Sequence, residues 1–550
     1  MKRRTFVTLA AAGLGSALAA EGSAAAQPRS RRPAAASQPL SHQTIESGGV
    51  TRRFSVYVPS GQPAYRAQDP KNNPLVIVIP PDDESGAGYA ARTAWTRVAE
   101  DRGFIVAFPV AADGGWNIGL SADRPDDIAF VTAVTDTVRG TYKSNEINTY
   151  IAGEGAGAAL ANQVAAISST RYVAVAGCGD GVPLDFYDKA ASRLTVTAMS
   201  GWTFLRGPRP SAEESRQIAY WRGANKGRPH AQVRVSRLRD GRGFASTDVV
   251  EAVWDRMFHP TLRFTDQDSV NGHLVPFRTA QEMGLRWCTK TIGGASRRWL
   301  VYLPTRYRSL TRHGRRLPVV MSFHGRNGSA RFHAQQSYWA DVAEKYGFIA
   351  VFPQAEPLPG AGPHDNIAWS PDAAPDNTDV RVALGIVEDI DSRFEADLTR
   401  VYVTGFSQGS AFTNRLAVQY PERFAAIAPQ SGHLFRANDY SAPVVRTDVP
   451  LPVWQFRGVD EVPGDFPGGS SGEAASRVFW RETVDRNLQR PRTVVDGRYT
   501  TEVFTDGVAE YRWTVNGDVG HFPPNGVNHK VWAEFFSRYR RLPDGSLEVH

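Results

Sequence analysis

The chain has 550 residues, 41% hydrophobic and 22% charged, with 63 Lys and Arg against 56 Asp and Glu for a formal net charge of +7. That length exceeds one core and fits two domains of roughly 230 to 260 residues. So small a net charge, with Arg and Asp/Glu alternating and no basic block after the first few dozen residues, argues against a nucleic-acid partner.

The chain opens "MKRRTFVTLAAAGLGSALAAEGSAAAQP", with Arg3 and Arg4 paired ahead of Phe6 and a weakly apolar Ala/Gly/Leu stretch. That stretch is shorter than the ~20 residues a membrane span needs. The arginine pair and the small residues around Ala24–Ala26 predict a cleaved twin-arginine export signal, hence a periplasmic or secreted protein. Residues 27–39, rich in Pro, Ala, Arg and Ser, are expected to be disordered. No later run is apolar enough to cross a membrane, so no membrane partner is expected. Cys178 and Cys288 are the two cysteines. The twin-arginine route carries folded proteins, so the fold should not require a disulfide. Lone cysteines without nearby His pairs also offer no zinc spacing.

From residue 40 onward the chain reads as if written twice. "RRFSVYVP", "LVIVIPPDD", "WTRVAEDRGFIVAFP" and "TYIAGEGAGAALANQVA" return as "RRWLVYLP", "LPVVMSFHGRN", "WADVAEKYGFIAVFP" and "RVYVTGFSQGSAFTNRLA". The offset is about 250 residues, which points to a repeated domain rather than short repeats. In each half, short runs rich in β-branched and aromatic residues alternate with stretches of helical periodicity. That alternation predicts two tandem, doubly wound α/β domains over 40–285 and 286–550. No flexible linker separates them, so the halves are expected to touch.

Only the second half carries a nucleophile. Gly405-x-Ser407-x-Gly409 stands where a buried strand ends and a helix begins, a turn so sharp that only small residues fit two positions either side of the serine. A second match, Gly468-x-Ser470-x-Gly472, follows no strand and is assigned to a loop. Serine needs a general base and the base an orienting acid, in the chain order Ser, acid, His. After Ser407 the run "LPVWQFRG" leads into Asp460 and Glu461; Asp460 is the first choice and Glu461 the competitor. Among the later histidines, His521 in "GDVGHFPP" precedes the last helix as a base loop would, ahead of His529 and His550. The oxyanion hole needs two backbone donors. The N–H of Gln408 supplies one, and the Gly325–Arg326 segment after the strand "VVMSF" supplies the other. His324 is read as a buried hydrogen-bonding residue.

With these residues placed, the second half resembles the polyhydroxybutyrate depolymerase and feruloyl esterase group of α/β-hydrolases. The matching elements are "FHG", "WADVAEKYGFIAVFPQ", "NIAWSP", "DNTDVRVALGIVEDI", "VYVTGFSQGS" and the late "GH" loop. The resemblance implies two α/β-hydrolase-type domains, a Ser407–Asp460–His521 triad, Trp369 beside the substrate pocket and no cofactor or metal. The family's acid loop is usually His-Gly-x-x-Asp, where this chain has "RGVDEVP". The Cys often found after its oxyanion "HG" is Arg326 here.

Aligned on the second half, the first half has Gly155 in place of Ser407, Pro80-Pro81 in place of "HG" and no carboxylate in the acid loop, although His273 persists. Trp95/Trp339, Trp116/Trp369, Phe108/Phe352 and Asn162/Asn414 occur in both halves, which favours structural roles for them, Trp369 included. The expectation is an exported serine carboxylesterase acting on a polymeric or oligomeric ester, either polyhydroxyalkanoate-type or a feruloylated or acetylated polysaccharide. The first half is expected to be non-catalytic. A non-catalytic polymer-binding protein and a serine peptidase on the same fold are the alternatives.

Overall fold

The computed structural model describes residues 39–550 except 61–72, 83, 145, 196, 239–240, 267–268, 359–366, 371–373, 375, 435–444, 462–468, 518, 522 and 524. The export signal and nearly all of the linker read from the sequence lie outside the described residues.

The β-branched runs of the first half form β1 (Ser41–Ser47), β2 (Val50–Tyr57), β3 (Leu75–Ile79), β4 (Ile105–Pro109), β5 (Thr149–Glu154), β6 (Ala174–Cys178), β7 (Ser200–Leu205) and β8 (Val233–Arg237). They make one sheet in the order β1-β2-β4-β3-β5-β6-β7-β8. β2 runs antiparallel to β1 and β4, and the remaining neighbours are parallel. A hairpin of β9 (Thr261–Asp266) and β10 (Ser269–Pro276) follows.

The second half repeats that plan with β11 (Leu285–Ile292), β12 (Ala295–Tyr302), β13 (Leu317–Phe323), β14 (Ile349–Pro353), β15 (Ala396–Phe406), β16 (Ala426–Gln430) and β17 (Val453–Gly458). It adds β18 (Arg492–Asp496), β19 (Tyr499–Phe504) and β20 (Tyr511–Asn516). The order is β11-β12-β14-β13-β15-β16-β17-β20-β19-β18, so the first eight positions match those of the first sheet.

The central strands of both sheets are buried on both faces, as continuous apolar strands require. In β3, Val76 and Val78 join one core while Leu75, Ile77 and Ile79 join the other. In β13, Val319, Met321 and Phe323 face one side and Val320 the opposite side. Four helices matter below: α1 (Asp127–Tyr142), α2 (Ala156–Ile167), α3 (Ala330–Gln336) and α4 (Gln408–Gln419).

Both sheets lie within one compact unit, Gln38–His550. Leu262 and Phe264 of the β9–β10 hairpin cluster with Ile147 and with Phe332 of α3. Gln335 Nε2 donates to the Pro276 carbonyl at 2.7 Å and Gln336 Nε2 to that of Thr265 at 3.3 Å. Cys178 and Cys288 are buried free thiols, on β6 and β11. Burial raises the pKa of both, so neither is an activated thiolate. Among the described residues no helix is long and apolar enough to cross a membrane, and no group of three or more His, Cys, Asp or Glu is placed to hold a metal ion.

Candidate active site

The elbow after β15 is built by steric exclusion. A Cβ on Gly405 would lie 2.5 Å from the Gly409 carbonyl oxygen, and one on Gly409 would lie 2.2 Å from that of Phe323. Only glycine permits strand and helix to meet so closely. Ser407 between them holds φ 55° and ψ −120°, a left-handed conformation that costs on the order of 1–3 kcal/mol for a non-glycine residue. Its N–H donates to the Gln430 carbonyl (2.9 Å), and its own carbonyl accepts from Ser410 N (2.9 Å). α4 begins at Gln408, one residue later.

β17 and β20 pair in parallel and carry the partners. A Cβ on Gly458 would be 2.2 Å from the Gly520 carbonyl oxygen, so the loops leaving the two strands pack backbone to backbone. That contact delivers His521. Its Nε2 lies 2.8 Å from Ser407 Oγ and its Nδ1 lies 2.9 Å from Glu461 Oε1. An ionised carboxylate only accepts, so Nδ1–H donates to Glu461 and Nε2 accepts from the serine hydroxyl. The Phe406 ring sits 4.9 Å from the imidazole and limits its tilt.

The carboxylate that meets His521 is therefore Glu461, not the Asp460 first chosen from the sequence. Asp460 donates its N–H to the Val519 carbonyl at 2.9 Å, and its side chain is exposed. The turn then closes with Glu461 N–H on the Gly458 carbonyl (3.3 Å), and the Glu461 side chain is completely buried. A usable signal was present: counted from Gly458, the third residue onward is Glu461, the position of Asp in His-Gly-x-x-Asp. Arg457 was missed by sequence reasoning. It stands in place of that motif's histidine and ties the loop down, donating to the carbonyls of Gly458 (3.0 Å) and Glu461 (3.1 Å) and pairing with Glu473 at 2.7 Å.

The β13 loop brings Gly325 against the nucleophile, where a Cβ would lie 3.2 Å from Ser407 Cβ. His324 fixes this loop. It is buried, its Nδ1 faces the Gly325 carbonyl at 2.7 Å, and its Nε2 accepts from Ala355 N–H at 3.1 Å. Those partners hold the imidazole neutral, and burial lowers its pKa to about 4. Gln408 is buried, and its side-chain oxygen accepts from Trp369 N–H at 3.2 Å. Arg326 is exposed, one residue beyond Gly325.

Trp369 does not fit the substrate-contacting place that the resemblance implied. It is 2% exposed, stacks on Phe412 at 5.0 Å, and donates Nε1–H to the His324 carbonyl at 2.7 Å. Trp116 makes the matching bond to the Pro80 carbonyl at 2.8 Å. Both indoles brace the loop after the third strand of their sheet. Asn162 and Asn414 are likewise matched, accepting from Trp221 Nε1 (2.9 Å) and Trp480 Nε1 (2.8 Å). Ser470 lies in the first turn of helix Gly469–Val478, and His529 packs its ring against Tyr346. His550 faces Glu548.

In the first half Gly155 occupies the elbow with φ 57° and ψ −134°, and a Cβ there would meet Pro81 at 3.6 Å. The preceding residue, Glu154, is buried and accepts from Tyr89 Oη at 2.9 Å, with Arg92 and Arg206 each 3.6 Å away. His273 lies on the hairpin, opposite Phe264.

Residues 300–449 match the model of the family described as Esterase PHB depolymerase. Acetylxylan esterase A of Talaromyces purpureogenus is 34% identical over 119 residues, which cover 21% of this chain and 29% of that protein. Feruloyl esterase B of Neurospora crassa is 32% identical over 118 residues, covering 21% of this chain and 38% of that protein. The chain thus spans well under half the length of these curated relatives. A solved acetyl xylan esterase from Aspergillus awamori aligns at 19% identity and TM-score 0.37, covering 46% of this chain and 98% of that one. Of the residues above, Ser407, Gly325 and Trp369 fall inside the depolymerase-family stretch, whereas Glu461 and His521 come from beyond it.

Proposed function

We propose that the protein is a serine carboxylesterase whose second half, 286–550, carries Ser407 as nucleophile, His521 as general base and Glu461 as orienting acid. The observation that carries this reading is the hydrogen-bonded chain from Ser407 Oγ through His521 to Glu461, at 2.8 and 2.9 Å, on a strained strand-to-helix elbow. In the proposed reaction Ser407 Oγ attacks the ester carbonyl while its proton passes to His521 Nε2. The imidazolium that forms is stabilised by the Glu461 carboxylate. Negative charge builds on the carbonyl oxygen, where the N–H of Gln408 and a backbone N–H of the Gly325–Arg326 segment serve as donors, each worth roughly a hundredfold or more in rate. His521 then gives its proton to the departing alcohol oxygen. Water, deprotonated by the same nitrogen, releases the acid and restores the serine.

The substrate proposed is an ester of a polymer or oligomer. The matched family description and the names of the acetylxylan and feruloyl esterases support this class. Residues 40–285 are assigned a non-catalytic role, since Gly155 has no hydroxyl and Pro80 and Pro81 have no N–H to offer. The packing of Phe332 with Leu262 and Phe264 supports a first half that is held against the second. Export through the twin-arginine signal completes the proposal. The test is fluorophosphonate labelling of the mature protein beside Ser407→Ala, followed by assays on short-chain esters, hydroxybutyrate oligomers and feruloyl esters. Labelling of the parent alone is expected, and a folded parent that resists the probe would overturn the esterase reading.

A further inference from the structure

α3 is the first element after the oxyanion loop, and its two faces meet different halves of the chain. Ala330, His333 and Ala334 turn toward their own sheet. Both alanines join the core that holds Val320 and Phe352, and His333 Nε2 lies 2.7 Å from Ser322 Oγ on β13. The other face meets the β9–β10 hairpin and the segment that follows it. Phe332 clusters with Leu262 and Phe264. Gln335 and Gln336 donate to the carbonyls of Pro276 and Thr265, and Arg331 Nη1 donates to that of Arg278 at 2.6 Å. Residues 331 and 335, like 332 and 336, are neighbours on a helix surface, so these four side chains make one stripe.

The corresponding helix of the first half, Gly86–Arg92, carries no such stripe. Aligned through Trp95 and Trp339, it has Gly88, Ala91 and Arg92 where α3 has Phe332, Gln335 and Gln336, and all three are exposed. Phe332 and Gln335 are instead 4% and 5% exposed. Each helix packs its inner face on its own sheet, but α3 alone of the two buries its outer face, and the hairpin covers it. The hairpin is itself fixed to the first sheet. Tyr150 Oη on β5 donates to the Thr261 carbonyl at 3.0 Å, and Arg263 donates to the carbonyls of Tyr172 and Ala198 at 2.8 and 2.5 Å.

α3 has 7 residues, too few to hold its place on backbone propensity, so packing sets where it lies. Its N-terminus is the end of the oxyanion loop. Ser329 Oγ accepts from Phe332 N–H at 3.3 Å, Gln354 Oε1 accepts from Ala330 N–H at 2.9 Å, and Gly328 N–H donates to the Gly325 carbonyl at 3.0 Å. Gly325, packed on Ser407, is thus tied through one capped turn to Phe332 on the hairpin.

We propose that the β9–β10 hairpin is a positioning element for the second half's chemistry: by holding α3 from outside, Leu262 and Phe264 set the oxyanion loop against Ser407. The inference rests on the esterase reading and gives the non-catalytic half a part in turnover. Oxyanion donors act only when aimed at the developing charge, and a misplacement of ~1 Å can cost on the order of a hundredfold. Loosening α3 should therefore lower kcat and leave KM nearly unchanged.

The experiment compares the full-length parent with Leu262→Ala, Gln335→Ala and Ile77→Ala. Ile77 joins the core on the face of the first sheet away from Leu274 of the hairpin, so its truncation controls for a general loss of stability. On a short-chain ester Leu262→Ala is expected to lower kcat at least about fivefold with KM within about twofold, and Ile77→Ala to stay within about twofold of the parent in both. Gln335→Ala, which removes the bond to Pro276 and keeps the apolar contact, should move kcat in the same direction by a smaller factor. Amide exchange over 326–336, read by mass spectrometry, should quicken in both hairpin-face variants and match the parent in Ile77→Ala. Parental kcat and exchange in Leu262→Ala and Gln335→Ala, or an equal loss of kcat in Ile77→Ala, would overturn the proposal. Exchange is read without turnover, so failure of the esterase reading shows separately, as absent fluorophosphonate labelling of the folded parent.

Discussion

Ser407 and Gly155 hold nearly the same turn, φ 55° and ψ −120° against φ 57° and ψ −134°. Each N–H donates to a carbonyl of the next strand, Gln430 at 2.9 Å and Cys178 at 2.9 Å. The first half thus has the same elbow with glycine where the second has serine, and glycine removes most of the conformational cost. Gly155→Ser should therefore fold, because the new Cβ meets Pro81 at an ordinary 3.6 Å, with a loss of about 1–2 kcal/mol from the left-handed backbone. In a Ser407→Ala background the added serine is expected to stay unlabelled by fluorophosphonate, since Pro80 and Pro81 lack N–H groups and Glu154, beside it, is engaged by Tyr89. Labelling at position 155 would show that the first half still has a working base and refute its assignment as non-catalytic.

Glu461 and Asp460 are neighbours with opposite environments, one buried on His521 and the other exposed. Glu461→Gln should lower kcat by a factor on the order of 10³–10⁴, because the amide permits the wrong imidazole tautomer, as loss of the triad acid does elsewhere. Asp460→Asn should leave kcat within about twofold. Steady-state kinetics on one short ester decides the matter, and the reverse ranking would reinstate Asp460.

What could be read from the residues and what could not divides along physical lines. β3, β13, the Val401–Val403 stretch of β15 and β16 were legible because a strand buried on both faces is dominated by apolar residues. The elbow was legible because its glycines are forced by contacts of 2.2 to 2.5 Å. The choice between Asp460 and Glu461 turned on spacing: the count of three from Gly458 favours Glu461, and the structure holds that register with Asp460 N–H on the Val519 carbonyl, across two loops about 60 residues apart. Trp369 was misassigned by the resemblance, and its counterpart Trp116 was the better guide: an indole kept where Gly155 replaces the serine serves the scaffold.

The shared role of those indoles leads to a third expectation. Trp369→Phe keeps most of the stacking on Phe412 and removes only the bond to the His324 carbonyl. Losing one partner of a buried hydrogen bond should cost about 1–3 kcal/mol in urea unfolding. The freed oxyanion loop should also lower kcat more than it raises KM, because the donors act on the transition state. A change confined to KM, with kcat intact, would return Trp369 to direct substrate contact.

Histidine burial makes stability depend on pH in a definable window. His333 on α3 is buried with Nε2 2.7 Å from Ser322 Oγ, and burial lowers its pKa to about 3. The unfolded value is near 6.5. Between those limits the unfolded chain takes up a proton that the folded chain refuses, so this contribution is fully present above pH ~6.5 and is lost as pH falls toward 3. His324 and His433, lowered by burial to about 4 and about 3, act in the same direction. Asp485, whose burial raises its pKa, opposes them, so total stability is a poor readout. The gap between the parent and His333→Gln isolates one histidine. The variant should be the less stable at pH 7.5, and its deficit should shrink by up to ~1.4 kcal/mol per pH unit from pH 6.5 to 5 as the parent loses its histidine contribution. Urea unfolding of both proteins at pH 7.5, 6 and 5 measures the gap, and a deficit that does not change with pH would mean His333 is protonated in the folded protein.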